Sequence, residues 1–172
     1  SGDENIISSL INSFSNLHDS NIVHTNQFIS ANEKPSVALR TGKNSSMAHA
    51  INQVKSGFCD AVVSAGNTGA LMAMSKLYLR PIEGISRPAI AAYFPTIIGE
   101  SCMLDLGANI DCDAKNLVQF SFMGQAFASI IMGIKNPTVS LLNIGEEEQK
   151  GLDYIKEASL ILSSMKDKIN YK

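Results

Sequence analysis

Ser64, Gly66, Asn67, Thr68 and Gly69 are the residues of this chain best suited to holding a small anion. They follow the apolar run Ala61-Val62-Val63 and precede Ala70 to Tyr78, which reads as a helix. The apolar run is predicted to be a short buried strand. A strand that feeds a helix through a Gly-rich turn presents free backbone N–H groups at the positive end of the helix dipole. Gly66 and Gly69 are predicted to let the backbone approach a ligand with no Cβ in the way. Ser64, Asn67 and Thr68 add side-chain donors and acceptors. The chemistry implied is binding of phosphate or another small anion. The wording is neither the GxGxxG of dinucleotide folds nor the GxxxxGK[ST] of P-loops.

Two further polar segments follow strand-like runs and precede helices. In Asp105-Leu-Gly-Ala-Asn109-Ile-Asp111-Cys-Asp113, the residue Asp111 or Asp113 is a plausible helix N-cap, and Asp113 is favoured. Asp105 and Asn109 lie too far before the helix to cap it. A carboxylate there can act as a base or orient a donor. One acidic cluster without His is a weak metal signal, and no metal or cofactor is predicted. In Asn143-Ile-Gly145-Glu-Glu-Glu-Gln-Lys150-Gly151, the Glu run suits a helix N-terminus. Lys150 opposes that dipole. It is either a solvated surface residue or a cation reaching over a cleft to a phosphate.

The remaining chemistry-bearing residues are assigned blander roles. Arg40 and Lys43 precede Ser45 and Ser46 at another helix start, as a second anion contact or a solvated turn. Arg87 is read as a surface ion-pair partner of little weight. His18, His24 and His49 share no triad spacing and are read as structural or exposed. Cys59 and Cys102 are read as small core residues. Cys112 is ambiguous, because it sits in a polar motif.

These residues must be positioned by a regular alternation of elements. Apolar residues from Ile6 to Leu17 fall at helical spacing, and Asn21 to His24 reads as a short strand. Pro35 opens a helical stretch. Ser45 and Ser46 form an N-cap for a helix closed by Gly57. Ala89 to Phe94 and Ser101 to Leu106 are strands joined by a link too short for a crossover, so they are predicted to form a hairpin. Ala114 to Gly133 reads as a long, mostly buried helix, and Thr138 to Leu142 as a buried strand. Gln149 to Met165 reads as an amphipathic helix with Leu152, Ile155, Ala158, Leu160, Ile161 and Leu162 toward the core. Met72, Met74 and Met123 are core candidates. This alternation predicts an α/β fold with a mostly parallel sheet, helices on both faces and ligands at the strand C-termini.

Length and composition bound the rest. The chain has 172 residues, 14 Lys and Arg against 16 Asp and Glu, three Cys and no Trp. That length suits one domain spanning residues 1–172. The near-neutral charge gives no electrostatic case for nucleic acid. No apolar run reaches the length of a membrane-spanning helix. Three Cys without CxxC spacing suit a cytoplasmic protein.

Ser64-Ala-Gly-Asn-Thr-Gly-Ala70 resembles the signature of the phosphate acyltransferase family (PlsX) of bacterial phospholipid synthesis. Ser45-Ser46-Met47, Arg87-Pro88-Ala89, Leu104 to Cys112, Met123-Gly124, Leu141 to Gly145 and Glu147 to Gly151 resemble the same family in the same order. The resemblance implies a three-layer α/β/α sandwich, Rossmann-like and similar to the isocitrate/isopropylmalate dehydrogenase-like fold. It implies transfer of a fatty acyl group from acyl carrier protein to inorganic phosphate, without a cofactor. Lys150, Asn67, Asp105, Asn109 and Asp111 are then the catalytic candidates. Ser64, Gly66, Asn67, Thr68, Gly69 and Lys150 are the phosphate-binding candidates. It further implies a cytoplasmic homodimer, peripheral at the inner face of the cell membrane, that supplies a glycerol-3-phosphate acyltransferase. Family members are longer at both ends, so the chain is expected to be an internal portion. Glu146 stands where the family often has Thr, which puts a hydroxyl contact there in doubt. A phosphotransacetylase using coenzyme A, a decarboxylating dehydrogenase and a non-catalytic anion-binding domain are the alternatives. The dehydrogenase should carry metal-binding Asp residues and an Arg-rich site, which this sequence lacks.

Overall fold

A computed structural model of the chain describes residues 1–97, 99–145 and 150–172. The chain is mixed α/β and divides into two compact units, Ser1–Pro81 and Ile82–Lys172.

The first unit is built from helices. Helix α1 (Glu4–Ile11) starts at Asp3, whose carboxylate accepts the Asn5 N–H at 2.9 Å. A turn of 3-10 helix at Ser15–Leu17 follows. The strand expected at Asn21 to His24 is reduced to one parallel bridge between Gly2 and His24. Helix α2 (Pro35–Thr41) begins on the predicted Pro. Helix α3 (Ser46–Lys55) is capped by the predicted Ser45, whose hydroxyl accepts the Ala48 N–H, and Gly57 follows it at φ +75°. Helix α4 (Thr68–Leu79) starts at Asn67. Ile29, Ala38, Met47, Ala48, Ile51, Ala70 and Met74 form the core where α2, α3 and α4 meet. Ile51 and Met74 are fully buried, and truncating either to Ala costs about 2–5 kcal/mol.

The second unit opens with the predicted hairpin. Strands β1 (Ala91–Thr96) and β2 (Gly99–Leu104) pair antiparallel, with Ala91 opposite Leu104 and Thr96 opposite Gly99. Helix α5 (Ala114–Ile130) packs on β2, and Tyr93 meets Phe127 with ring centroids 5.7 Å apart. Helix α6 (Asp153–Ser164) packs on α5. Ala158 and Leu162, one turn apart, are its buried stripe. Leu152, Leu160 and Ile161, expected in the core, are exposed.

The antiparallel hairpin is the whole sheet among the described residues, where a mostly parallel, Rossmann-like sandwich is expected. The runs at 61–63 and 138–142 are the difference. Val63 is 96 % exposed and Leu142 80 % exposed, so neither run is a buried strand. Residues 138–142 make one parallel bridge, Val139 to Tyr171. A parallel strand is buried only by neighbours on both edges and helices on both faces, and its own sequence cannot supply them. Cys59 is exposed rather than core, and Cys102 is half-buried. Met74 is buried, whereas Met72 and Met123 are only partly so.

Candidate functional site

In the first unit, Ser64, Gly66, Thr68 and Gly69 are exposed where the chain turns into α4, Thr68 and Gly69 being its first two residues. The Ser64 hydroxyl accepts the Gly66 N–H at 3.1 Å, which tightens the turn. Asn67 holds both ends of the arrangement. Its Oδ1 accepts the Ala70 N–H at 2.9 Å, capping α4. Its Nδ2 donates to the carbonyls of Ser30, Ala31 and Glu33 at 3.1, 3.0 and 2.8 Å. The side chain expected to touch a ligand is thus the peg that fixes the 30–33 loop against the helix start. Gly69 differs from expectation in the same way. A Cβ there would lie 2.9 Å from Pro35 Cγ, so its missing side chain admits α2. At Gly66 a Cβ would meet Met47 Cε at 3.2 Å. The N–H groups of a helix's first turn have no partner within the helix, and those of Thr68 and Gly69 lie on this exposed turn. Arg40 and Lys43 are exposed, Arg40 in the last turn of α2, where a cation suits the dipole. His24 is structural, since its Nδ1 accepts the Glu4 N–H at 3.1 Å.

In the second unit, Asp105, Asn109, Asp111 and Cys112 come together in one loop between β2 and α5. Asp105 Oδ1 accepts the Ile90 N–H at 2.7 Å, and Oδ2 accepts the Asn109 N–H at 2.7 Å. The Asn109 amide donates to Pro88 O at 2.9 Å and to Asp105 Oδ2 at 3.2 Å. Asp105 therefore ties the loop to the start of β1. Arg87 Nη1 donates to the Asp111 carbonyl at 2.9 Å, so Arg87 braces backbone instead of pairing with a carboxylate. The Asp111 residue itself is exposed. The Cys112 thiol donates to Asn109 O at 3.6 Å. Burial, the Asp105 charge and the neighbouring Asp113 and Asp111 push this thiol up, against an opposing pull from Arg87. It is held as a thiol and is a poor nucleophile. Asp113 is the helix cap, in a capping box with Asn116.

A polar knot under this loop escaped the sequence reading. Asn116 Nδ2 donates to Ser86 Oγ at 3.0 Å, and Gln119 Oε1 accepts both the N–H and the hydroxyl of Ser86 at 3.0 and 2.8 Å. Gln119 Nε2 donates to Gly84 O at 2.7 Å. Asn116 and Gln119 are buried, and the knot anchors residues 84–86, just before Arg87, to α5. Its signal in the sequence is the pair of polar residues Asn116 and Gln119 inside an otherwise apolar helix.

Beside the loop lies a cleft of about 630 Å³, bordered by residues 100–105 and 136–142 and floored by Leu117, Phe120, Ser121, Gly124 and Ala128 of α5. Asp105, Asn109 and Cys112 stand in its wall.

Lys150 is exposed. Asn143 Nδ2 donates to the Lys150 carbonyl at 3.0 Å, and Asn143 Oδ1 accepts the Ile144 N–H at 2.9 Å. Gly151 sits at φ +100°, and a Cβ there would run into the Asn143 amide. Asn143 and Gly151 thus fix the backbone position of Lys150. The expected helix-start role of Glu146 to Glu148 lies outside the described residues. Among the described residues no group of three His, Cys, Asp or Glu could hold a metal ion, and no helix is long and apolar enough to cross a membrane.

The chain is mixed α/β, with a Gly-rich helix start in its first unit and a braced acidic loop in its second. The model of the family described as "Fatty acid synthesis protein" matches residues 1–172, and the chain belongs to that family. It is 54 % identical over 162 residues to a phosphate acyltransferase of Rhodospirillum centenum, covering 94 % of this chain and 46 % of that protein. It is 51 % identical over 141 residues to a phosphate acyltransferase of Paramagnetospirillum magneticum, covering 82 % of this chain and 40 % of that protein. The chain thus spans less than half the length of these curated relatives.

Proposed function

We propose that this chain is the anion-handling part of an acyltransferase that moves a fatty acyl group from acyl carrier protein to inorganic phosphate. The observation that carries this reading is the 54 % and 51 % identity, over 94 % and 82 % of this chain, to two proteins named phosphate acyltransferase. A phosphate oxygen attacks the thioester carbonyl, the C–S bond breaks from the tetrahedral intermediate, and an acyl phosphate and a thiol result. The proton lost by the phosphate hydroxyl ends on the thiolate. Phosphate is itself the nucleophile, so neither Cys112 nor a Ser is needed.

The required work is to hold a dianion, align it and stabilise an oxyanion. Within the first unit, the Thr68 and Gly69 N–H groups and the Ser64 and Thr68 hydroxyls bind phosphate, while Gly66 and Asn67 shape and position the turn. Within the second unit, Asp105 orients the Asn109 amide, Asp111 relays a proton, and Lys150 offers a cation to an anionic group. The enzyme works as a cytoplasmic homodimer, peripheral at the membrane, and hands its product to a glycerol-3-phosphate acyltransferase.

The test is thiol release by the full-length protein with acyl-acyl carrier protein or acyl-coenzyme A, with and without phosphate, trapping the product with hydroxylamine. Phosphate-dependent hydroxamate from the carrier-protein donor is expected. Turnover with coenzyme A alone, or release indifferent to phosphate, would overturn the reading.

A further inference from the structure

Charge is unevenly divided along the first unit. Residues 1–33 carry Asp3, Glu4, Asp19 and Glu33 and no Lys or Arg. Residues 34–58 carry Lys34, Arg40, Lys43 and Lys55 and no Asp or Glu. Lys34, Arg40 and Lys43 are exposed, and none of them forms an ion pair among the described residues. They lie on one strap, made of α2, a 3-10 turn at Gly42–Asn44 and the start of α3. The strap touches the Gly-rich turn near both of its ends. Asn67 Nδ2 donates to Glu33 O at 2.8 Å, and a Cβ on Gly69 would meet Pro35, so Lys34 sits between two contacts with the turn. Just past Lys43, Met47 Cε would meet a Cβ on Gly66 at 3.2 Å. Beside the strap is a hollow of about 240 Å³, bordered by residues 26–29, Glu33, Thr41, Gly42 and Ser45. Phe28 on this border is 78 % exposed. The Glu33 carboxylate, also on the border, accepts the Thr41 hydroxyl at 3.4 Å.

We propose that Lys34, Arg40, Lys43 and Phe28 form the docking surface for an acidic protein, the carrier that brings the acyl thioester to the Gly-rich turn. This rests on the acyl-transfer reading and adds where the donor lands. Lys34 and Lys43 flank α2, which is about 10 Å long, a spacing that suits several anionic groups rather than one phosphate. An exposed aromatic ring beside a hollow supplies the apolar anchor of a protein interface, for which a free phosphate has no use. Exposed cations at the rim of a site act mainly on encounter and on salt dependence. They steer the donor and leave the chemistry at the turn unchanged, so a small uncharged thioester gains nothing from them.

The test uses the full-length protein and holo-acyl carrier protein, with binding read by fluorescence anisotropy so that it does not depend on turnover. The triple variant Lys34→Glu, Arg40→Glu, Lys43→Glu should weaken binding roughly tenfold or more at low salt, and the corresponding Gln variant less. Salt of about 0.3 M should remove most of that difference. Phe28→Ser should weaken binding at both salt levels. Acyl-pantetheine, a small uncharged donor, should keep its kcat/KM in all these variants, and the KM for phosphate should not move. Unchanged carrier binding in the triple variant, with wild-type turnover intact, would overturn the docking surface and leave the acyl-transfer reading standing. So would an equal loss with acyl-pantetheine at an unchanged circular dichroism spectrum, a rise confined to the KM for phosphate, or preferential capture of RNA by the same cations. Charge-dependent carrier binding in a protein without phosphate-dependent turnover would support the surface and overturn the acyl-transfer reading instead.

Discussion

The Asp105 carboxylate accepts both the backbone N–H and the side-chain amide of Asn109, at 2.7 and 3.2 Å, while its other oxygen takes the Ile90 N–H. One carboxylate thus holds the loop closed on itself and against β1. Asp105→Ala leaves three donors without their acceptor and should cost about 1–3 kcal/mol, with Asp105→Asn intermediate. Asp111→Ala, which leaves the carbonyl used by Arg87 in place, should cost under about 0.5 kcal/mol. Urea unfolding monitored by circular dichroism checks the ranking, and equal losses at both positions would contradict it.

Asn67 makes a sharper case, because Asp is ordinarily as good an N-cap as Asn. Asn67→Asp keeps the cap to Ala70 but sets a carboxylate against three carbonyls that now accept from Nδ2. A destabilisation of about 1–3 kcal/mol is expected, at least as large as for Asn67→Ser. A neutral Asn67→Asp, measured by thermal unfolding, would mean that the contacts to residues 30–33 carry no weight.

Gly69→Ala puts a Cβ 2.9 Å from Pro35 Cγ and should destabilise by about 1–3 kcal/mol through overpacking. Pro35→Ala removes the obstructing ring. The double variant should therefore recover part of the loss, with a coupling above about 0.5 kcal/mol in a double-mutant cycle. Strict additivity would show that Gly69 is needed for something other than the approach of α2.

Cys112 yields a pH dependence of defined sign. Its thiol is pushed up in the folded chain, so the folded state keeps its proton after the unfolded state has begun to lose it. Stability falls wherever the folded state binds more protons, so this contribution declines as pH rises above about 9.0. Cys112→Ser should flatten that part of the stability profile. It should also leave substantial phosphate-dependent turnover in the full-length enzyme. An acyl-Cys adduct found by mass spectrometry would reverse the assignment.

Lys150→Met removes the ammonium and keeps most of the stem. Loss of a charge-assisted contact of about 1.5–3 kcal/mol would lower kcat/KM roughly ten- to a hundredfold in the full-length enzyme. Lys150→Arg should restore only part, because its planar fork differs from a point charge. Unchanged kinetics across phosphate concentrations would make Lys150 a solvated surface residue.

What could be read in the sequence was what short stretches decide by themselves. Ser45, Asp113, Pro35 and Gly57 act within one helical turn, so their caps and boundaries were legible. The hairpin was legible because six residues joined to six by a tight link have one simple pairing. Asn67 and Gly69 stood out as special, but what makes them special is Ser30 to Glu33 and Pro35, far back in the chain. The runs at 61–63 and 138–142 carry strand composition, yet strand burial belongs to neighbours and not to the run. Leu160 and Ile161 misled for a related reason, since α6 buries a stripe only as wide as its contact with α5.

The knot of Ser86, Asn116 and Gln119 constrains how this protein can drift. Each member satisfies another, and Gln119 also holds Gly84. A single apolar replacement strands buried donors and acceptors, while a joint replacement of all three need not. The three positions are therefore expected to change together. A lineage crosses to a different solution only by passing through a less stable ancestor, or keeps the trio intact while the exposed residues around it change freely.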